Sequence, residues 1–308
     1  MDTPRISYQD KMPPALWVAL PLGMLSICTA SILVKLCPDA PAVVIACARL
    51  GISSLVLIPG AFAVKGRRLF HVPRQDIKYI LLSSFFLSGH FLFWFLSLKH
   101  TSVLSSVVIV ASNPLFVGLA SYVFLKEKIH CYLLAGILLG TVGGIVIGFS
   151  DMQQGSNSLL GDLLSFGGAI MASSYFLIGR KVRGRLDLLS YITPVYAITA
   201  LILLVLVVIS GGTFSGYRNT TYVYFVLLAV FPQLIGHTSI NWSLKYITAT
   251  TVAVMVLVEP VGSAVLAYFF LGEGVAVVQV FGSGLILAGI FFSMLESGKH
   301  PSVHALDE

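Results

Sequence analysis

Several side chains in this sequence carry chemistry in places where an apolar chain can least accommodate it. Glu259 and Pro260 stand together in VLVEPVGSAVLAYFFLGE (256–273), and Asn113 and Pro114 in SNPLFVGLASYVF (112–124). A charge at the centre of a bilayer costs roughly 2.5–3.5 kcal/mol on insertion scales. A proline inside a helix frees the carbonyl four residues back, here that of Val256. Both penalties are tolerable only beside a protein-lined or water-filled cavity, so the two pairs predict a polar site near the membrane midplane. Gln233, His237 and Asn241 recur at i, i+4 and i+8, which puts them on one helix face. Phe86, His90 and Trp94 form the matching stripe further upstream.

This chemistry is hydrogen bonding, charge pairing and proton exchange. The polar stripe fits a solute pathway, although residues of these types also glue membrane helices together, and Phe86 fits a lipid or core face equally well. Glu259 can couple proton movement, because burial disfavours its charged form. It can instead pair with Arg49 or with a tyrosine. Covalent catalysis has less support. The sequence has no GxSxG elbow and no acidic cluster suited to magnesium diphosphate, and its histidines lack metal-ligand spacing. GILLGTVGG (136–144) lacks the Lys-Ser/Thr of a phosphate loop. Its Gly136, Gly140 and Gly144 instead allow close helix approach. Cys28, Cys37, Cys47 and Cys131 have no metal or redox spacing. No metal, cofactor or enzymatic activity is expected.

The elements that must position these groups follow from composition. Of 308 residues, 57% are hydrophobic and 10% charged, against about 25% charged in soluble domains. Apolar runs of spanning length fall at 15–35, 41–64, 76–98, 102–125, 130–149, 158–179, 188–210, 221–244, 248–271 and 276–295. Their length and uniform apolarity predict ten helices rather than alternating barrel strands. The net charge of +6 is a topology signal, not a nucleic-acid footprint. With the N-terminus inside, fifteen Lys and Arg face the cytoplasm, three (Lys35, Lys99 and Arg218) face outward, and Arg49 lies within a span. This bias predicts a plasma-membrane protein with both termini cytoplasmic. No signal peptide is recognised at the first span.

An internal repeat organises the chain. At a shift of 146, Leu98, Lys99, Pro114, Tyr122 and Glu127 fall on Leu244, Lys245, Pro260, Tyr268 and Glu273. Gly136, Leu139 and Gly143 fall on Gly282, Leu285 and Gly289, while Gly89-His90 matches Gly236-His237 with a one-residue offset. The predicted units are 1–150 and 151–308, joined by the polar connector DMQQGSNS. Five spans is an odd number, so the second unit enters the membrane inverted, a construction typical of secondary transporters with a midplane site.

At these residues the sequence resembles a known family. GHFLFWFLSLKHTSVLSSVVIVASNPLFVGLASYVFLKEKI and GHTSINWSLKYITATTVAVMVLVEPVGSAVLAYFFLGE are similar to the paired signatures of the drug/metabolite transporter superfamily, in its ten-helix EamA-like branch. GDLLSFGGAIMASSYFLIGRK (161–181) resembles that branch's sixth helix, and Arg49 stands where the family often has an arginine. The resemblance implies an alternating-access exporter of a small metabolite such as an amino acid. A channel or uncoupled facilitator is the alternative, and a membrane enzyme a weaker one. Glu127 and Glu273 match signature glutamates but lie at helix ends, where structural roles are expected. The expected partners are a small-molecule substrate and the bilayer, with no nucleic acid and a homodimer left open.

Overall fold

The computed structural model describes residues 12–101, 103–124, 129, 131–152, 159–272 and 277–299. Glu127, Glu273, most of the connector and the two chain ends lie outside these residues. Among the described residues the chain is helical throughout, without strands. It begins with α1 (Leu16–Ile27), α2 (Ala30–Lys35), α3 (Ala42–Lys65) and α4 (Arg74–His100). Next come α5 (Val103–Val110), α6 (Asn113–Phe124), α7 (Cys131–Met152), α8 (Leu159–Arg183) and α9 (Leu188–Ile209). The remainder is α10 (Asn219–Leu228), a π-helical segment (Ala229–His237), α11 (Thr238–Ser243), α12 (Ala249–Val256), α13 (Val258–Leu271) and α14 (Val277–Lys299). Eight helical stretches are long and apolar enough to cross a membrane, and Cys131–Gly143 and Val280–Gly289 are shorter apolar helices.

The surface shows what the solvent is. Leu55, Val64, Phe124, Leu159, Ile209, Phe269 and Val277 are strongly exposed, whereas Arg49, Gln233, Asn241 and Ser53 are fully buried. Apolar side chains outside and polar side chains inside are stable only where lipid surrounds the bundle. Charged residues collect at the ends. At one end Lys65 pairs with Asp187 and donates to Ser190 at 2.7 Å, near the Arg185–Asp76 pair. At the other, Lys99 donates to the Cys37 carbonyl at 2.8 Å and Asp39 accepts from Thr221 at 2.8 Å. Gly66 (φ 56°) and Gly272 (φ 69°) end α3 and α13 in conformations that a Cβ would disfavour.

Helix pairing is simple. α7 runs along α14, α3 along α9, α4 along α8, and α1 against the π-helical segment. The first contact brings backbone against backbone: a Cβ on Gly143 would sit 2.5 Å from the Gly282 carbonyl oxygen, and one on Gly289 2.7 Å from that of Gly136. Such backbone approach is what replaces the hydrophobic effect between helices in lipid.

Three expected spans differ from the continuous helices that their apolar runs suggest. The first breaks at Cys28–Thr29, the fourth at Ala111–Ser112 and the ninth at Leu257. The prolines explain two of these breaks. Pro114 and Pro260 each lie in the first turn of a new helix, where the missing N–H has no partner to lose. Pro260 therefore opens a half-helix instead of interrupting a continuous one.

Candidate functional site

The three breaks meet at one cavity. Ile27 and Ala30 flank the first break, Val110 and Asn113 the second, and Val256 and Glu259 the third, and all six line it. The π-helical segment contributes His237, α3 Arg49, and α4 His90 and Trp94. Every lining residue is buried, His237, Val256 and Glu259 at 8% exposure being the most accessible, so the cavity lies within the bundle. Its volume of about 30 Å³ has room for water and not for a metabolite.

Arg49 is held from behind. Its Nε donates to Gln233 Oε1 at 2.8 Å, and its guanidinium carbon lies 4.2 Å from the centre of the Phe91 ring. The hydrogen bond and the cation–π contact fix the plane of the fork, while both terminal nitrogens remain without partners. His90 donates from Nδ1 to the Gly168 carbonyl at 3.0 Å and stacks on Trp94, with ring centres 5.6 Å apart. Trp94 Nε1, Asn113 Oδ1, His237 Nδ1 and Glu259 Oε1 are buried with no hydrogen-bond partner among the described residues. Buried polar groups are rarely left unpaired, because each costs about 1–3 kcal/mol. Arg49, Trp94, Asn113, His237 and Glu259, each with such an atom, all line the one cavity.

Glu259 occupies the first turn of α13, where the helix dipole favours negative charge. The direct Arg49–Glu259 ion pair considered from sequence is not formed, since Arg49 turns its Nε to Gln233. The two charges face one cavity without touching.

Two residues assigned to the pathway from sequence lie elsewhere. Gln233 is fully buried behind Arg49. Asn241 is also fully buried: its Oδ1 accepts from Tyr175 at 2.9 Å, and its Nδ2 donates to the His237 carbonyl at 2.7 Å. Even spacing along an α-helix puts them beside His237; for Gln233 the π-helical turns change the phase of that stripe, whereas Asn241, one α-helical turn beyond His237, is engaged by Tyr175. Tyr175 also lines the cavity. Arg180 and Arg183, counted from sequence only as topology charges, are buried. They donate to the carbonyls of Leu244 (2.8 Å) and Asn241 (2.9 Å) and so cap the end of α11.

A lipid-embedded helical bundle with a buried cavity at broken helices has the build of a solute-translocating membrane protein. Comparison with known proteins supplies the family. The model of the EamA-like transporter family matches residues 14–149 and again 159–295. The chain belongs to the EamA-like transporter family. It is 24% identical to the uncharacterized transporter YyaM of Bacillus subtilis, over 79% of this chain and 81% of that one. It is 27% identical to solute carrier family 35 member G1 of Mus musculus, over 51% and 45% of the two chains. A solved crystal structure superposes with a TM-score of 0.77 at 17% identity, covering 94% of this chain and 99% of the other, and so shares the fold. The protein is a multi-pass membrane transporter.

Proposed function

We propose that the protein is a secondary transporter that exports a small metabolite by alternating access, with the buried cavity as its transport site. The observation that carries this reading is the convergence of three helix breaks and a π-helical segment on one cavity lined by unpaired polar groups. Broken helices supply joints and free backbone ends where a solute binds. The absence of a nucleotide-binding motif leaves a solute or proton gradient as the drive. Export is the direction suggested by the family resemblance. Glu259 is the group assigned to proton coupling.

Alternating access needs two halves that can rock, and the packing supports an inverted repeat. Number the spans in order and exchange each with its counterpart five spans away. The α3–α9 and α7–α14 contacts then map onto themselves, and α4–α8 maps onto the contact of α1 with the π-helical segment. The glycine contacts obey the same exchange: Gly143 on Gly282 becomes Gly289 on Gly136 at the shift of 146. The division of charge between the bundle ends supports ten spans with both termini cytoplasmic in the plasma membrane.

The test is a metabolite screen with purified protein in liposomes, loaded with mixtures of amino acids, amines, nucleosides and sugars. A carrier gives counterflow: influx of labelled solute accelerates when the same solute is present on the opposite side. A channel or pore gives flux without that acceleration, and such a result would reject the carrier.

A further inference from the structure

We propose that an anionic phospholipid docks on the seam between α4 and α8, its phosphate headgroup held by Lys78, Lys181 and Arg185. The three cations gather around one aromatic ring. Lys78 Nζ and Lys181 Nζ each lie 5.1 Å from the centre of Tyr79, and the Arg185 guanidinium carbon lies 5.7 Å from it. Lys78 precedes Tyr79 on α4, whereas Lys181 comes from the last turn of α8 and Arg185 from the turn that follows it. All three reach the surface. Arg74, one helical turn before Lys78, adds a fourth exposed cation on the same face of α4. Asp76 answers one of these charges by accepting from Arg185. Among the described residues, neither Lys78 nor Lys181 has a carboxylate partner.

Like charges this close repel. Each pair stands no farther apart than about one Debye length, roughly 10 Å at 0.1 M salt, so salt screens the repulsion only in part and a bound anion relieves it. The surroundings decide which anion. The cluster sits at the charged end of the bundle where Lys65 pairs with Asp187, and apolar surface begins directly beneath it. On α4, Leu82 and Phe85 follow Lys78 at i+4 and i+7 and are exposed. On α8, Leu177, Ser174 and Ile170 recede from Lys181 along one face. The two helices lie side by side, and a Cβ on Gly89 of α4 would meet the Met171 sulfur of α8 at 3.2 Å. Lysine stems lie along such apolar surface and lift their ammonium groups to the headgroup level, and basic pockets between membrane helices suit anionic headgroups. A soluble phosphate would use the cations and leave the apolar stripes unused. A zwitterionic lipid would bring its own ammonium against three cations. An anionic phospholipid answers both features, and it ties α4 to the turn after α8 where Arg185 already holds Asp76.

Binding is read by native mass spectrometry and thermal unfolding of delipidated protein in neutral detergent, titrated with phosphatidylglycerol or with phosphatidylcholine of the same chains. Phosphatidylglycerol should bind saturably, raise Tm and outbind phosphatidylcholine by at least about fivefold, the worth of one interfacial cation. Lys78→Gln combined with Lys181→Gln should weaken phosphatidylglycerol binding by about 25-fold, two such factors together. Arg67→Gln combined with Arg68→Gln removes the same charge from exposed positions just after α3 and should leave binding unchanged. Equal weakening by the two double variants would mean diffuse attraction to a basic surface and would overturn the proposal. Phosphatidylcholine binding as tightly as phosphatidylglycerol would overturn it too, and this wild-type comparison stands even where a variant does not fold. Inorganic phosphate that displaces phosphatidylglycerol at equal concentration would show a site for a free anion and reject the lipid.

Discussion

Replacing Gly143 or Gly289 with alanine tests the helix pairing on which the two-half reading stands. A Cβ at Gly143 would lie 2.5 Å from the Gly282 carbonyl oxygen and 2.9 Å from the Ile286 side chain; one at Gly289 would lie 2.7 Å from the Gly136 carbonyl and 3.0 Å from the Gly140 nitrogen. The shortest approach is about 1 Å inside ordinary contact, and its partner is backbone, which cannot rotate away. α7 and α14 must therefore separate, and overpacking of this kind costs about 1–3 kcal/mol. The better helix propensity of alanine returns up to about 1 kcal/mol at interface and control positions alike, so each interface variant should lie about 1–3 kcal/mol below a control variant. Gly51→Ala and Gly60→Ala are the controls, because a Cβ at either position meets nothing within 4 Å. Thermal unfolding of the detergent-solubilised protein should rank both interface variants below both controls, with similar losses at the two exchanged positions. Interface variants as stable as the controls would refute the close approach, and a loss at one position alone would refute the symmetric pairing.

Glu259→Gln should abolish accumulation driven by a pH gradient while retaining counterflow at high solute concentration; pH-driven accumulation equal to wild type would remove Glu259 from coupling. Asn241→Ala strands the Tyr175 hydroxyl, which donates to Asn241 at 2.9 Å, and should destabilise the protein by about 1–3 kcal/mol in thermal unfolding. Asp39, between the first two spans, accepts from the Arg218 backbone N–H at 2.9 Å, which holds its carboxyl below the usual range. A value lowered by folding contributes stability above the unfolded value, about 3.9, and loses it as pH falls through the folded value. The difference in Tm between wild type and Asp39→Asn should therefore shrink below about pH 4.

Much of this architecture is legible in the sequence because lipid imposes simple rules. Apolar length locates the helices, and polar residues within the apolar runs locate the cavity: Arg49, His90, Trp94, Asn113, His237 and Glu259 all line it. Pro114 and Pro260 signal their breaks through backbone chemistry that depends on residue type alone. The break at Cys28–Thr29 has no such signal. It is stabilised locally, the Thr29 hydroxyl donating to the Ser26 carbonyl at 2.7 Å, and serine and threonine make such bonds in unbroken helices too. A constant helical period misplaces Gln233 because it carries no information about the π-helical turns between Ala229 and His237, and it misplaces Asn241 because it does not report the bond from Tyr175. Their real partners, Arg49 and Tyr175, lie on other spans, and no local spacing reports contacts between spans.

The central claim is that one cavity serves both sides of the membrane in turn, and accessibility measures this directly. Ala172 lines the cavity and is buried, so Ala172→Cys, in a protein whose four native cysteines are replaced, places a small thiol at the site. The single-cysteine protein is labelled in sealed vesicles with a membrane-impermeant methanethiosulfonate added to either side. Labelling is expected from each side, slow in both cases, with a transported solute protecting the thiol from both. Rapid labelling from both sides that solute does not slow would indicate an open pore. Undiminished transport after complete modification of the thiol would show that solute passes elsewhere, and either result would contradict the account.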